Sequence, residues 1–155
     1  MLNRKHSVTL SLAVCIFFTV VLTAGLAVGP WFVRVWFCSY RGWAEDSEAL
    51  QKMLKLFNLC FYPCAVFAYI TLYSLIRLLL NIGNDVIFVT QNISCLRRIS
   101  WCCFVVACIT GAAGFWYVPF FFMSVPAAFV GLMLRVVKNV MQNALELKTE
   151  NELTI

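Results

Sequence analysis

The sequence predicts an all-α, polytopic membrane protein with four transmembrane helices, in which helices three and four form a tight hairpin and both termini are cytoplasmic. The main observation is that residues 7–33, 56–76 and 99–134 contain no charged side chain. A helix needs about 17 to 25 apolar residues to cross the hydrocarbon core, so the first two stretches are single spans and the third is long enough for two. In addition, a chain that is 63% hydrophobic and 12% charged has too little polar surface for a soluble domain.

We expect one membrane domain over residues 1–155, with spans at about 8–33, 56–80, 99–115 and 118–137 and a cytoplasmic tail over 138–155. The first span resembles a secretory signal, because Arg4 and Lys5 precede an apolar run that contains the small residues Gly25 and Ala27. However, the run continues to Val33, well beyond the ~7 to 15 apolar residues of a signal. An uncleaved first helix is therefore the favoured interpretation.

The stretch 99–134 must turn. As one straight helix its 36 residues would rise roughly 54 Å, against a hydrocarbon core about 30 Å thick. Gly111, Gly114, Pro119 and Pro126 are candidate breaks, and a turn near residues 115–119 leaves two arms of 17 residues. Because each arm is at the short end for a span, a re-entrant hairpin remains open as an alternative.

The orientation is predicted from the lysines and arginines. Eight of the twelve fall in the N-terminal segment, in the connection between helices two and three and after helix four, whereas the first loop has four and the last turn has none. Basic loops are retained in the cytoplasm, which gives cytoplasmic termini and a first loop outside. Aromatic side chains should then line the outer interface, namely Trp31, Trp36, Tyr40 and Trp43.

The sequence also contains residues that predict where helices begin and where they pack against each other. Asp46 or Ser47 can cap a short interfacial helix, with Glu48 and Lys52 paired across one turn, and Thr90 can cap the helix that enters the third span. Small residues four apart predict close helix packing, favoured as intramolecular, at three places: Gly25/Gly29, Ala107/Gly111 and Ala127/Gly131.

Catalytic chemistry has little support in this sequence. No charged residue lies deep in a span, His6 is the only histidine, and the eight cysteines include no CxxC pair. We therefore expect no enzyme activity, no catalytic residues, no cofactor and no metal site. The cysteines are interpreted as small apolar residues, with a disulfide between Cys38 and Cys60 left open.

Several motifs carry a family resemblance that extends over essentially the whole chain. They include the segment from Leu78 through Asn92 to Ile99, the ending from Leu147 to Ile155, and the Trp101-Cys102-Cys103-Phe104 run. These segments resemble a bacterial family of membrane proteins known as domain of unknown function 2975, in its Firmicute branch. The resemblance implies four membrane helices, and members of the family often appear beside a small helix-turn-helix regulator, which points to signalling. It carries over no catalytic residue.

Two hypotheses for the function are compatible with the sequence. The favoured one is a non-enzymatic signalling or regulatory component that docks a cytoplasmic protein, such as a small helix-turn-helix regulator, without direct contact to nucleic acid. Its predicted docking residues lie on the helix entering the third span and on an apolar stripe after Leu134, and they are Asn92, Arg97, Arg98, Val137, Met141 and Leu145. The alternative is a small permease or resistance factor for an apolar or amphipathic compound, lined by Asn58, Tyr62, Tyr69, Thr71 and Thr110. The oligomeric state is left open.

Overall fold

A computed structural model of the chain contains four long helices, and it describes residues 4–42, 47–84 and 89–153. Helix α1 covers Arg4–Arg41, α2 covers Glu48–Gly83, α3 covers Thr90–Gly114 and α4 covers Pro119–Leu153. All four are long and apolar enough to cross a membrane, and the described residues form no strand. The predicted all-α fold with four potential spans is confirmed. Trp43, Asp46 and residues 85–88 lie outside the described part.

The hairpin of α3 and α4 is confirmed, and its turn lies where it was predicted. Helix α3 ends at Gly114 and α4 begins at Pro119, whereas Gly111 and Pro126 lie inside helices. Proline suits the first position of a helix because the missing N–H has no intrahelical partner there. Each arm extends beyond the predicted 17 residues, to 25 in α3 and 35 in α4.

The two helix caps have different outcomes. The hydroxyl of Ser47 accepts a hydrogen bond from the Leu50 backbone N–H at 3.3 Å, so it caps α2 as predicted. The predicted interfacial helix is simply the first part of α2, and Lys52 and Glu48 form the expected pair at 3.4 Å. The prediction for Thr90 is wrong. Val89 occupies the extended capping position without a side-chain hydrogen bond, and Thr90 is already the first helical residue.

Each helix packs against its neighbours in sequence, in the order α1, α2, α3, α4, and in the described residues the other pairs make no close backbone approach. Small residues create the closest contact, between α3 and α4. Ser124 donates a hydrogen bond to the Ala107 carbonyl and Ser100 donates one to the Gly131 carbonyl, both at 2.8 Å. A Cβ on Gly131 would lie 3.3 Å from Cys103, which shows why a glycine is favoured there.

The GxxxG of α1 is used only in part. A Cβ added to Gly29 would lie 3.3 Å from the Phe61 ring of α2, whereas one added to Gly25 would meet nothing within 4 Å. At the other end of the same pair of helices, a Cβ on Gly83 would meet Val8. Helices α1 and α2 are therefore antiparallel neighbours. We call the end of the bundle where α1 and α3 begin and α2 ends the terminal end, and the end with the α3–α4 turn the turn end.

Aromatic side chains cluster on α1 near the turn end. Trp31, Trp36 and Tyr40 are all exposed, and the rings of Trp36 and Tyr40 stack with their centroids 4.2 Å apart. Phe37, in contrast, is buried and lies 6.0 Å from the ring of Tyr117 in the α3–α4 turn. This contact connects the last turn of α1 to the opposite side of the bundle.

Candidate functional site

The region between α3 and α4 at the terminal end forms the first candidate site. A cavity of about 330 Å³ lies there, and we call it the terminal groove. Four residues of α3 and four of α4 line it, namely Thr90, Ile93, Ser94 and Arg97 with Lys138, Gln142, Leu145 and Glu146. Its surface is mixed: two cations, one carboxylate, two apolar side chains and three uncharged polar ones.

The groove exists because of the register of the hairpin. Ser100 contacts Gly131, so the part of α4 that follows Gly131 runs alongside the part of α3 that precedes Ser100. Helix α4 is 35 residues long, or roughly 52 Å, and it therefore continues past the beginning of α3. Gln142 donates a hydrogen bond to Glu146 at 3.1 Å, which holds one wall of the groove.

Two of the predicted docking residues, Arg97 and Leu145, line this groove together although they are far apart in the sequence. Two others, Arg98 and Val137, are exposed but do not line the groove. The structure thus brings the helix that enters the third span and the extension of α4 into one surface.

The remaining two predicted docking residues, Asn92 and Met141, contact other helices of the bundle. Asn92 has no exposed surface, and its Oδ1 accepts a hydrogen bond from Asn81 Nδ2 of α2 at 2.7 Å. Met141 packs against a small core formed by Leu78, Cys95 and Leu96. Part of the apolar stripe of α4 is therefore covered by this core.

A second, smaller cavity adjoins the terminal groove, and sequence reasoning missed it. We call it the basic pocket. It has a volume of about 60 Å³ and is lined by Arg97, Ser100, Trp101, Arg135 and Lys138. The guanidinium of Arg135 lies over the Trp101 ring, 5.6 Å from its centroid. The spacings Arg97-Trp101 and Arg135-Lys138 place each pair on one helical face, but only the register of the hairpin shows that the two faces meet.

An apolar crevice in the middle of the bundle is the third candidate. It has a volume of about 370 Å³, and all four helices contribute to it: Phe18, Val21 and Leu22, then Ala68, Thr71 and Leu72, then Cys102, Cys103 and Val106, and finally Ala127. A further cavity of about 370 Å³ lies toward the turn end, and Val106 lines both.

The polar residues predicted to line a permease pathway are only partly in place. Thr71 lines the apolar crevice and Thr110 lines the cavity next to it. Tyr69 shares a hydrogen bond of 2.8 Å with Thr23, and Tyr62 is exposed on the surface of α2. Asn58 lines neither cavity, and its Oδ1 is buried without a hydrogen-bond partner among the described residues. The crevice is therefore almost wholly apolar.

The described cysteines form neither disulfides nor a group of metal ligands. All eight are free thiols, so the Cys38–Cys60 pairing that the sequence left open is absent from the structure. In the part of the chain that the structure describes, no three His, Cys, Asp or Glu side chains come together as metal ligands.

Comparison with known proteins identifies the family. The model of the family described as protein of unknown function (DUF2975) matches residues 38–155, which is most of the chain. The protein therefore belongs to this family, as its motifs indicated. No curated protein and no solved structure matches the chain significantly.

Proposed function

We propose that this member of the DUF2975 family is a non-enzymatic protein of the cell membrane, with both termini in the cytoplasm, that docks a cytoplasmic regulatory protein in its terminal groove. One observation carries the proposal: Arg97 of α3 and Leu145 of α4 line the same cavity, about 330 Å³ in volume. The distribution of lysine and arginine supports a cytoplasmic terminal end.

The chemistry of the groove suits a protein partner better than a small substrate. Ile93 and Leu145 supply an apolar centre, and Arg97, Lys138 and Glu146 supply charges around it. Protein interfaces commonly combine an apolar core with a polar rim of this kind. A partner that inserts one apolar side chain and places an acidic one beside Arg97 would satisfy both parts.

The class of partner is proposed from the family resemblance. A small helix-turn-helix regulator has helices that can lie along the exposed extension of α4. In this proposal the membrane protein contacts the regulator and makes no direct contact with nucleic acid. Release or retention of the regulator would then make the expression of the genes that the regulator controls depend on the state of the membrane.

Recovery of the partner with matched variants tests this function. Leu145 and Leu147 lie on the same extension of α4, but only Leu145 lines the groove, and Leu147 is 62% exposed. We expect Leu145→Glu to reduce recovery of the regulator from mild detergent by about tenfold or more, because it places an unpaired charge at the apolar centre of the interface. Leu147→Glu should have little effect.

Both variants of the full-length chain should first show the elution profile of the wild type, so that a loss of recovery is not a loss of folding. Bacterial two-hybrid signals with small helix-turn-helix regulators from the same genome give an independent readout. If Leu145→Glu recovers the same partner in the same amount as Leu147→Glu, the proposed docking function is wrong.

The apolar crevice favours a second function, that of a small permease or resistance factor for an apolar or amphipathic compound. Its size of about 370 Å³ lies within the range of small-molecule sites, and all four helices contribute to its wall. A lipophilic cation such as ethidium could enter it from the bilayer between helices that do not pack against each other.

Filling the crevice distinguishes this function from docking. Ala68 lines the crevice, whereas Val66 on the same helix is exposed on the outside of the bundle. Ala68→Trp should reduce ethidium uptake into inverted vesicles if the crevice is the pathway, while Val66→Trp should not. Uptake that equals that of vesicles without the protein would exclude the permease function.

A further inference from the structure

The basic pocket gathers positive charge from two helices. Arg97 comes from α3, Arg135 and Lys138 come from α4, and among the described residues no carboxylate lines the pocket. Neither arginine makes an ion pair with a described carboxylate. Like charges held together in this way repel each other unless an anion lies between them.

The donors of the pocket remain available for such an anion. The guanidinium carbon of Arg135 lies 5.6 Å from the centroid of the Trp101 ring, and among the described residues its N–H groups have no hydrogen-bond acceptor. Lys138 donates one hydrogen bond, to Asn139 at 3.0 Å, and an ammonium has three donors. The Ser100 hydroxyl donates to the Gly131 carbonyl, so it fixes the wall of the pocket.

The size of the pocket limits what can bind. Its volume is about 60 Å³, and a single water needs roughly 10–15 Å³. The pocket therefore has room for one compact anionic group, such as a phosphate, but not for a segment of protein. This separates it from the larger terminal groove, with which it shares Arg97 and Lys138.

The surroundings favour a lipid phosphate over a free one. Trp101 lies one turn from Arg97 toward the middle of the bundle and is 57% exposed, and Leu132, three residues before Arg135, is 55% exposed. Both belong to helices that are long and apolar enough to cross a membrane, and in a bilayer spanned by these helices this apolar surface would lie beside the acyl chains. Tryptophan and arginine together at the end of a span are typical of the headgroup level.

We propose that the basic pocket binds the phosphate of an anionic phospholipid, with Arg97, Arg135 and Lys138 as its ligands and Trp101 and Leu132 against the upper acyl chain. Basic pockets between transmembrane helices are known to recognise anionic headgroups in this way. Bound lipid would neutralise the three cations and connect α3 to α4 next to the terminal groove. This site does not depend on the proposed docking function.

Native mass spectrometry of the full-length protein, titrated with phosphatidylglycerol or with phosphatidylcholine, tests the proposal. We expect phosphatidylglycerol to bind about tenfold more tightly than phosphatidylcholine, and Arg135→Gln/Lys138→Gln to abolish that preference. The matched control is Arg77→Gln/Arg98→Gln, which removes the same net charge from exposed positions that do not line the pocket. It should keep the preference within about twofold of the wild type.

Three results would overturn the proposal. Equal affinity of the wild type for the two lipids would exclude an anion site. An equal loss of the preference for phosphatidylglycerol in the two double variants would indicate general charge attraction. Displacement of phosphatidylglycerol by millimolar inorganic phosphate would show that the pocket takes a free anion. If the pocket variant fails to fold, the single variants Arg97→Gln, which lines the pocket, and Arg98→Gln, which does not, provide the same comparison.

Discussion

The hydrogen bond between Asn81 and Asn92 is the clearest polar contact between α2 and α3, and it leads to a quantitative prediction. The N–O distance is 2.7 Å, and the Asn92 side chain is completely buried. If Asn92 holds the helices together, Asn92→Ala should lower the free energy of unfolding without removing the docking surface. The exposed neighbour Gln91 offers the matched control, Gln91→Ala.

The expected magnitude follows from burial. Asn81 is only partly buried, so leaving its amide without this acceptor should cost about 1 kcal/mol, the lower end of the range for an unsatisfied buried group. The direct coupling between the two side chains should be smaller, because interhelical hydrogen bonds in membrane proteins average ~0.6 kcal/mol and reach ~1.7 kcal/mol. A cycle of Asn81→Ala, Asn92→Ala and the double variant isolates this second quantity.

Unfolding in mixed detergent, followed by far-ultraviolet circular dichroism, measures these free energies. Asn92→Ala should unfold at a lower denaturant fraction than the wild type and Gln91→Ala at the same fraction, while folded Asn92→Ala recovers the docking partner normally. A folded Asn92→Ala that is as stable as Gln91→Ala but fails to bind the partner would refute this reasoning, and Asn92 would then be a docking residue.

Three further predictions concern packing, topology and metal. Gly114→Ala should destabilise the protein by about 1–3 kcal/mol, because its Cβ would lie 3.1 Å from the Phe121 backbone nitrogen. The control Gly25→Ala should be neutral or stabilising in the same unfolding assay. A cysteine at Ser47 should react with a membrane-impermeant maleimide added outside the cell, and a cysteine at Thr90 should not. Labelling of the wild-type chain gives the background, and the reverse pattern would contradict cytoplasmic termini. Elemental analysis of the purified protein should find less than one equivalent of zinc or iron, and stoichiometric metal would contradict the interpretation of the cysteines as apolar packing residues.

Much of the fold could be predicted from the sequence because the bilayer imposes a length on each helix. The uncharged stretch 99–134 is too long to cross once, which required a turn, and Pro119 suits a helix start. Ser47 could be identified as a cap because its hydroxyl precedes an amphipathic run. These signals are local, so one sequence is enough to detect them.

The contents of the candidate site depend on how the helices are arranged, and that arrangement is not local. Asn92 is a polar residue whose burial its own sequence does not reveal, whereas in the structure it has no exposed surface and its amide contacts Asn81 of α2. Likewise, Met141 belongs to the apolar stripe of α4, but it packs against the core formed by Leu78, Cys95 and Leu96. Periodicity predicted the stripe, whereas the register of the hairpin determined which of its residues remain accessible.

The same register explains why the terminal groove and the basic pocket adjoin each other. Because Ser100 lies opposite Gly131, Arg97 of α3 faces Arg135 and Lys138 of α4. Cations at the headgroup level are expected in any cytoplasmic loop, but here Arg97 and Lys138 line both cavities. A lipid phosphate in the pocket and an acidic side chain in the groove would therefore compete for the same two charges. We expect the affinity for a docked regulator to fall as the fraction of anionic lipid rises, and an affinity that is independent of lipid composition would show that the two cavities act separately.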